Sequence, residues 1–270
     1  MKINDFNINN EKVMIFLHPM LASSEAMIKY ITSRIGDGYR YIIPDLSAHG
    51  EESKKTYISS KDEAESLYNY LKKENIKKIE FAYGASLGGV VLFDLLKHND
   101  IDFKHLFFEG PSFYEHARIR GCLLKLIMLR IRNVAIFNKE KAIRKMSAIY
   151  GNEAAVAMVD QFASMDAESV KNIVNDCSFV NLPNMSKELQ EKCVFSYGEK
   201  DDDLKQAKKI IPAKYPNAKL KIDKGYGHCE RISKDSEKYV DELMEEIDRW
   251  YVKMFCNIYF VMLLSYKVIN

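Results

Sequence analysis

Apolar and polar positions along this chain follow two rhythms. Short, nearly continuous apolar runs at 12–19 (KVMIFLHP), 39–46 (YRYIIPDL), 77–84 (KKIEFAYG) and 103–110 (FKHLFFEG) have the length and character of buried strands. Between them lie stretches with helical spacing. The first is 25–35 (EAMIKYITSRI), with Ser23 or Ser24 as N-cap and Gly36 and Gly38 as stops. The second is 61–75 (KDEAESLYNYLKKEN), acidic at its start and basic towards its end as the helix dipole favours. The third is the apolar 86–99 (SLGGVVLFDLLKHN). Strands alternating with helices, the strands apolar throughout, predict an α/β fold with a mostly parallel central sheet flanked by helices.

The rhythm changes after Gly110. From 111 to about 191 the pattern is helical, with apolar spacing over 122–137, 139–150, 152–163 and 167–177. Strand patterning returns at 192–201 (KCVFSYGEKD) and 218–228 (AKLKIDKGYGH), separated by a helix near 203–211 and followed by a last helix over 233–255. The predicted organisation is one core domain, residues 1–110 and 192–270, interrupted by an inserted helical cap at 111–191. Within the cap, 122–137 is apolar on more than one face. That pattern fits a helix buried between cap helices better than a wall of an acyl pocket. Met128, Met146, Met158 and Met165 could form an adaptable apolar lid or simply fill the core. The cations at 125, 130, 132, 139, 141, 144 and 145 read as a solvated face.

Composition adds limits. Forty Lys and Arg against 38 Asp and Glu leave a net charge of +2, which gives no sign of a nucleic-acid partner. Five cysteines, at 122, 177, 193, 229 and 256, form no close pair and read as reduced thiols rather than a disulfide framework or zinc site. The N-terminal MKINDFNINNEK lacks the apolar core of a signal peptide, so the expected compartment is the cytoplasm. The segment 254–270 is strongly apolar, but its longest run, 258–264, is far short of the ~20 residues of a membrane span. It is expected to cover an apolar surface, on this chain or in a homodimer.

Candidate chemistry centres on 84–88, Gly-Ala-Ser-Leu-Gly, at a predicted strand–helix junction. In that context G-x-S-x-G marks a nucleophile: small neighbours permit a tight turn that exposes the Ser86 hydroxyl beside a helix N-terminus. There the Leu87 N–H could face a developing oxyanion. A serine hydroxyl needs a base, and the base an orienting acid. His228 follows a late strand in a glycine-flanked loop, whereas His98 and His105 suit solvated or capping roles and His49 and His116 lie in early or inserted segments. Asp201 follows the strand at 193–198. Its neighbours Asp202 and Asp203 suit helix capping, and Glu109 is a reserve acid.

With these residues in place the chain resembles the α/β-hydrolase superfamily of serine hydrolases with a helical cap. Ser86, Asp201 and His228 stand in that family's order of nucleophile, acid and base. "FLHPM" resembles its early His-Gly stretch, which implies Met20 as the second oxyanion N–H donor, with Pro19 in place of the usual glycine. "IIPDLSAHGEES" resembles its Pro-Asp-x-x-Gly-His-Gly loop at Pro44, Asp45, His49 and Gly50, with Ala48 where glycine is usual. The resemblance covers about 12–250 and is weakest in the cap. It implies hydrolysis of a small carboxylic ester or thioester through an acyl-enzyme, with no metal or organic cofactor. Two other readings stand beside it: a monoacylglycerol- or lysophospholipase-like hydrolase, and a non-catalytic ligand-binding protein on the same fold.

Overall fold

A computed structural model describes residues 1–248 of the chain. The expectations for 254–270, including a homodimer through that segment, and for the end of the last helix lie outside the described residues. The strands are β1 (Lys2–Phe6), β2 (Val13–Leu17), β3 (Arg40–Asp45), β4 (Lys78–Ile79), β5 (Phe81–Ala85), β6 (Asp102–Phe103), β7 (Leu106–Glu109), β8 (Cys193–Gly198) and β9 (Lys219–Asp223). Seven form one sheet in the order β1-β3-β2-β5-β7-β8-β9, and β4 pairs with β6 in a separate two-stranded ribbon. β1 runs antiparallel to β3, and the other pairs of the large sheet are parallel.

The central strands β2, β5, β7 and β8 are buried along their whole length, which is why their sequences are apolar without alternation. Successive residues serve opposite faces. Val13, Ile15 and Leu17 join the core beneath the helices Ser60–Lys73 and Leu87–Leu95. Met14 and Phe16 join the other core, with Met27 and Ile31 from 24–35 and Tyr239, Val240, Leu243 and Ile247 from the helical stretch 236–248.

Several elements differ from the sequence pattern. β1 has too many polar residues to read as a buried strand, because as an edge strand it keeps them half in solvent. Asp5 there accepts from Arg40 (Nε to Oδ1, 3.0 Å), and Asn4 donates to Ser24 Oγ (2.9 Å). The single run 77–84 is divided at Glu80, whose N–H donates to Val13 O (2.8 Å) as the chain turns from the ribbon into the large sheet. The run 103–110 divides in step, between β6 and β7. The helix expected over 25–35 widens to π-type hydrogen bonding over Ile28–Thr32. The expected last helix is broken at Asp235, after Glu230–Lys234.

Between β7 and β8 lie the helices Arg118–Phe137, Lys139–Tyr150, Asn152–Ser164 and Ala167–Ser178, with a short turn at Lys187–Gln190. Arg118–Phe137 departs from expectation. Only Gly121 and Ala135 are buried in it, so it is not a helix enclosed by its neighbours. Ile119 and Phe137 are more than four-fifths exposed, at 87% and 83%. Among the described residues no helix is long and apolar enough to cross a membrane.

Candidate active site

Ser86 lies between β5 and the helix Leu87–Leu95, with φ +48° and ψ −110°, a conformation that L-residues rarely adopt. Its N–H donates to Glu109 O (2.7 Å), and its carbonyl accepts from Gly89 and Val90. The two motif glycines allow this turn by close approach. A Cβ on Gly84 would lie 2.7 Å from Gly88 O, and one on Gly88 would lie 2.2 Å from Leu17 O. The helix therefore starts directly against the end of β2, and Leu87, at its first position, has an N–H with no acceptor inside the helix.

His228 follows β9, and its Nε2 lies 2.8 Å from Ser86 Oγ while its Nδ1 lies 2.8 Å from Asp201 Oδ2. With Asp201 ionised, Nδ1–H donates to the carboxylate and Nε2 is left to accept from the serine. Asp201 is buried after β8, where its other oxygen accepts from Asp203 N–H (2.9 Å). Burial opposes charge on the His228 ring, while the adjacent Cys229 sulfur and the Asp201 carboxylate favour it. The net displacement of its pKa is upward, well above 6.5. Burial also lifts the Cys229 thiol above its ordinary value, so the thiol is neutral near pH 7 and Asp201 is the cause that stands.

The structure thus brings together the three side chains singled out in the sequence and leaves the reserve acid out. Glu109 is buried, and its carboxylate accepts from Tyr239 Oη (3.0 Å). Asp203 stands at the N-cap of the helix Leu204–Lys214 but makes no side-chain cap bond, and its carboxylate instead pairs with Arg120 (2.6 Å). Asp201, Asp203 and His228 offer ligand atoms within 4.8 Å of one another, a spacing that could hold a cation. Arg120 and the Ser86–His228–Asp201 hydrogen bonds already engage all three.

A cavity of about 790 Å³ opens over Ser86. Met20 and Leu87 line it beside the serine, and Leu124, Met128, Met146, Met158, Phe162 and Ile173 form much of its apolar wall. Met165, the fourth methionine of the expected lid, is fully buried in the core instead.

No family model and no curated protein matches the chain. Solved structures do. One from the ammonia-oxidizing thaumarchaeon Nitrososphaera gargenis, reported with its carboxylesterases, aligns with TM-score 0.71 and 16% identity over 93% of this chain and 95% of its own. MenH from S. aureus aligns with TM-score 0.69 and 22% identity over 93% and 98%. An esterase from Exiguobacterium antarcticum aligns with TM-score 0.67 and 13% identity over 91% and 94%. The chain has the α/β-hydrolase fold.

Within this α/β-hydrolase fold the loop after β3 supports the site without facing it. Asp45 accepts from Ser24 N–H (2.7 Å) and Glu51 N–H (3.1 Å), and a Cβ on Gly50 would collide with its carboxylate. Ala48 has φ +68°, the left-handed conformation that makes glycine the easier residue there. His18 and His49 are fully buried and in contact, their rings tilted at 57° with centroids 4.9 Å apart. Burial lowers their pKa values to about 4 and about 3, so both are neutral. His18 Nε2 accepts from Leu46 N–H (3.1 Å) and Nδ1 donates to Pro19 O (2.9 Å). Pro19 O also accepts from Ala22 N–H (3.2 Å), so proline fits a turn that uses its carbonyl and not the missing N–H.

Three residues beside Ser86, Asp201 and His228 or the loop after β3 are not among the candidates that the sequence suggests. Gly110, at φ +60°, leaves room for His228 and Asp201: a Cβ there would lie 3.1 Å from His228 Cε1 and 3.2 Å from Asp201 Oδ2. The Gly-Pro pair closing the fourth apolar run was the available signal. Gln161 donates to Ala48 O (2.6 Å) and accepts from Gly50 N–H (3.0 Å), and Tyr150 donates to His228 O (3.3 Å). Both tie the inserted helices to loops distant in sequence, and periodicity gives no signal for such contacts.

Proposed function

We propose that this protein is a serine hydrolase that cleaves a small carboxylic ester or thioester through an acyl-enzyme. The observation that carries the reading is the unbroken Ser86–His228–Asp201 hydrogen-bonded relay at the floor of an apolar cavity. His228 takes the Ser86 proton as Oγ attacks the acyl carbon, and Asp201 holds the imidazolium that forms. Backbone N–H groups of Met20 and Leu87 stabilise the oxyanion. His228 then returns its proton to the departing alcohol or thiol. Water, deprotonated by the same histidine, releases the acid and restores Ser86.

In this reading residues 1–110 and 192–270 act as the core and 111–191 as the cap that excludes water from the acyl group. The four described cysteines are unpaired, in keeping with a reducing cytoplasmic setting. The apolar wall contributed by the cap favours a second reading, a monoacylglycerol- or lysophospholipase-like substrate range. Fluorophosphonate labelling and hydrolysis of a short p-nitrophenyl ester test the proposal. Labelling at Ser86 with loss of turnover in Ser86→Ala is expected. A folded protein that resists the probe, or a Ser86→Ala variant that retains turnover, refutes it, the first outcome favouring a ligand-binding role.

A further inference from the structure

The helix Arg118–Phe137 has a face that the fold leaves bare. Ile119, Leu123, Leu126 and Ile127 are spaced three and four apart (119/123, 123/126, 123/127), Phe137 lies five full turns beyond Ile119, and each is exposed. The helix is about 30 Å long at 1.5 Å per residue, so the apolar stripe is extended rather than a scatter of single residues. The adjoining stripe, Arg120, Leu124, Met128 and Ile131, lines the cavity over Ser86. The bare face therefore lies on the same helix as part of the cavity wall, one stripe away from it.

Its charge identifies the partner. Residues 118–150 carry nine Lys and Arg against the single acidic Glu140, an excess far larger than the net +2 of the whole chain. Arg118, Arg130, Lys141, Arg144 and Lys145 are exposed. An exposed apolar stripe with exposed cations on its own helix and on the helix that follows has the composition of a segment that lies in a lipid–water interface with anionic headgroups around it. A second copy of the chain is a poor occupant, because a two-fold contact would set these cations against their own equivalents. The C-terminal segment 249–270 is a poor occupant too, since its sequence has one arginine, two lysines and no acidic residue.

We propose that the helices Arg118–Phe137 and Lys139–Tyr150 form a docking surface for an anionic phospholipid membrane. Ile119, Leu123, Leu126 and Phe137 enter the headgroup boundary and the cations bind the lipid phosphates and carboxylates. The helix that forms part of the cavity wall over Ser86 then rests on the membrane surface.

Co-sedimentation of the full chain with vesicles tests this without any need for hydrolysis. One preparation is phosphatidylcholine alone and the other phosphatidylcholine mixed with phosphatidylserine. Binding to the second and not the first, weakened by salt, is expected. Arg118→Gln, Arg130→Gln, Arg144→Gln and Lys145→Gln together should lower partitioning on the order of a hundredfold or more, at about fivefold per cation. Ile119→Ser, Leu123→Ser and Phe137→Ser together should lower it at least about tenfold. None of these residues lines the cavity, so turnover of a water-soluble ester should persist. Four results would overturn the proposal: no binding to either vesicle, equal binding to both, binding that survives both sets of substitutions, or self-association through this face that both sets abolish.

Discussion

Glu109 offers a quantitative test of how the site is supported. It ends β7 directly beneath Ser86, and its carbonyl accepts the Ser86 N–H (2.7 Å) and faces Cys229 Sγ (3.7 Å). Glu109 is only 2% exposed, and burial first, with the Asp223 charge second, lifts its pKa from 4.5 to about 7. Between those two values the folded protein holds a proton that the unfolded chain has released. Stability is therefore fully present below pH 4.5 and falls as pH rises towards and through 7. The gap of about 2.5 pH units corresponds to about 3 kcal/mol. Glu109→Gln keeps the shape and an acceptor for Tyr239 but cannot ionise. Urea unfolding of both proteins at pH 5 and pH 8 should show the variant gaining about 2–3 kcal/mol on the native protein between those pH values, with m unchanged. A difference that stays constant across the range would mean that Glu109 is ionised in the fold, and the argument would fail.

Other perturbations address the chemistry. Asp201→Asn can place its amide against His228 Nδ1 and favour the tautomer whose Nε2 carries the proton, so kcat should fall about 10⁴-fold while Ser86→Ala abolishes turnover. In the native protein the raised His228 pKa means that kcat/KM should fall as pH drops through a midpoint above 6.5. In Asp201→Asn that midpoint should move down, because burial then acts without the opposing carboxylate. Gly88→Ala would bring a Cβ to 2.2 Å from Leu17 O, a backbone atom that cannot swing aside. A loss of about 3 kcal/mol or more in thermal or urea unfolding is expected, and an unchanged midpoint would refute the close approach. Across saturated p-nitrophenyl esters, kcat/KM should rise about fourfold per methylene until the cavity fills. Met128→Trp should shorten the preferred chain, and a profile flat in chain length would refute an apolar acyl pocket.

The relation of sequence to structure differs between the sheet and the inserted helices for a physical reason. Strands buried on both faces must be apolar throughout, so β2, β3, β5, β7 and β8 announce themselves, and the residues that end them fall at one edge of a parallel sheet. Ser86 and Asp201 stood out as candidates through that rule, each from its place after a buried strand, whereas His228 follows the half-exposed edge strand β9 and stood out by its glycine-flanked loop and its place in chain order. β1 was not, because an edge strand is only half constrained and its polar residues satisfy solvent and Arg40 equally well.

Arg118–Phe137 marks the deeper limit. Helical periodicity specifies which residues share a stripe, but the same stripe results whether a core, a substrate or a membrane covers it. The cations nearby looked like an ordinary solvated face for the same reason: charge at a sequence position does not say what lies beside it. Only the packing separates Leu124 and Met128, which face the cavity, from Leu123 and Ile127, their immediate neighbours, which face outward. A rotation of about 100° per residue makes the difference between a wall of the site and an exposed apolar surface. The exposure of that second stripe is thus a structural fact absent from the sequence, where the same residues fit a helix buried between its neighbours or part of an acyl pocket.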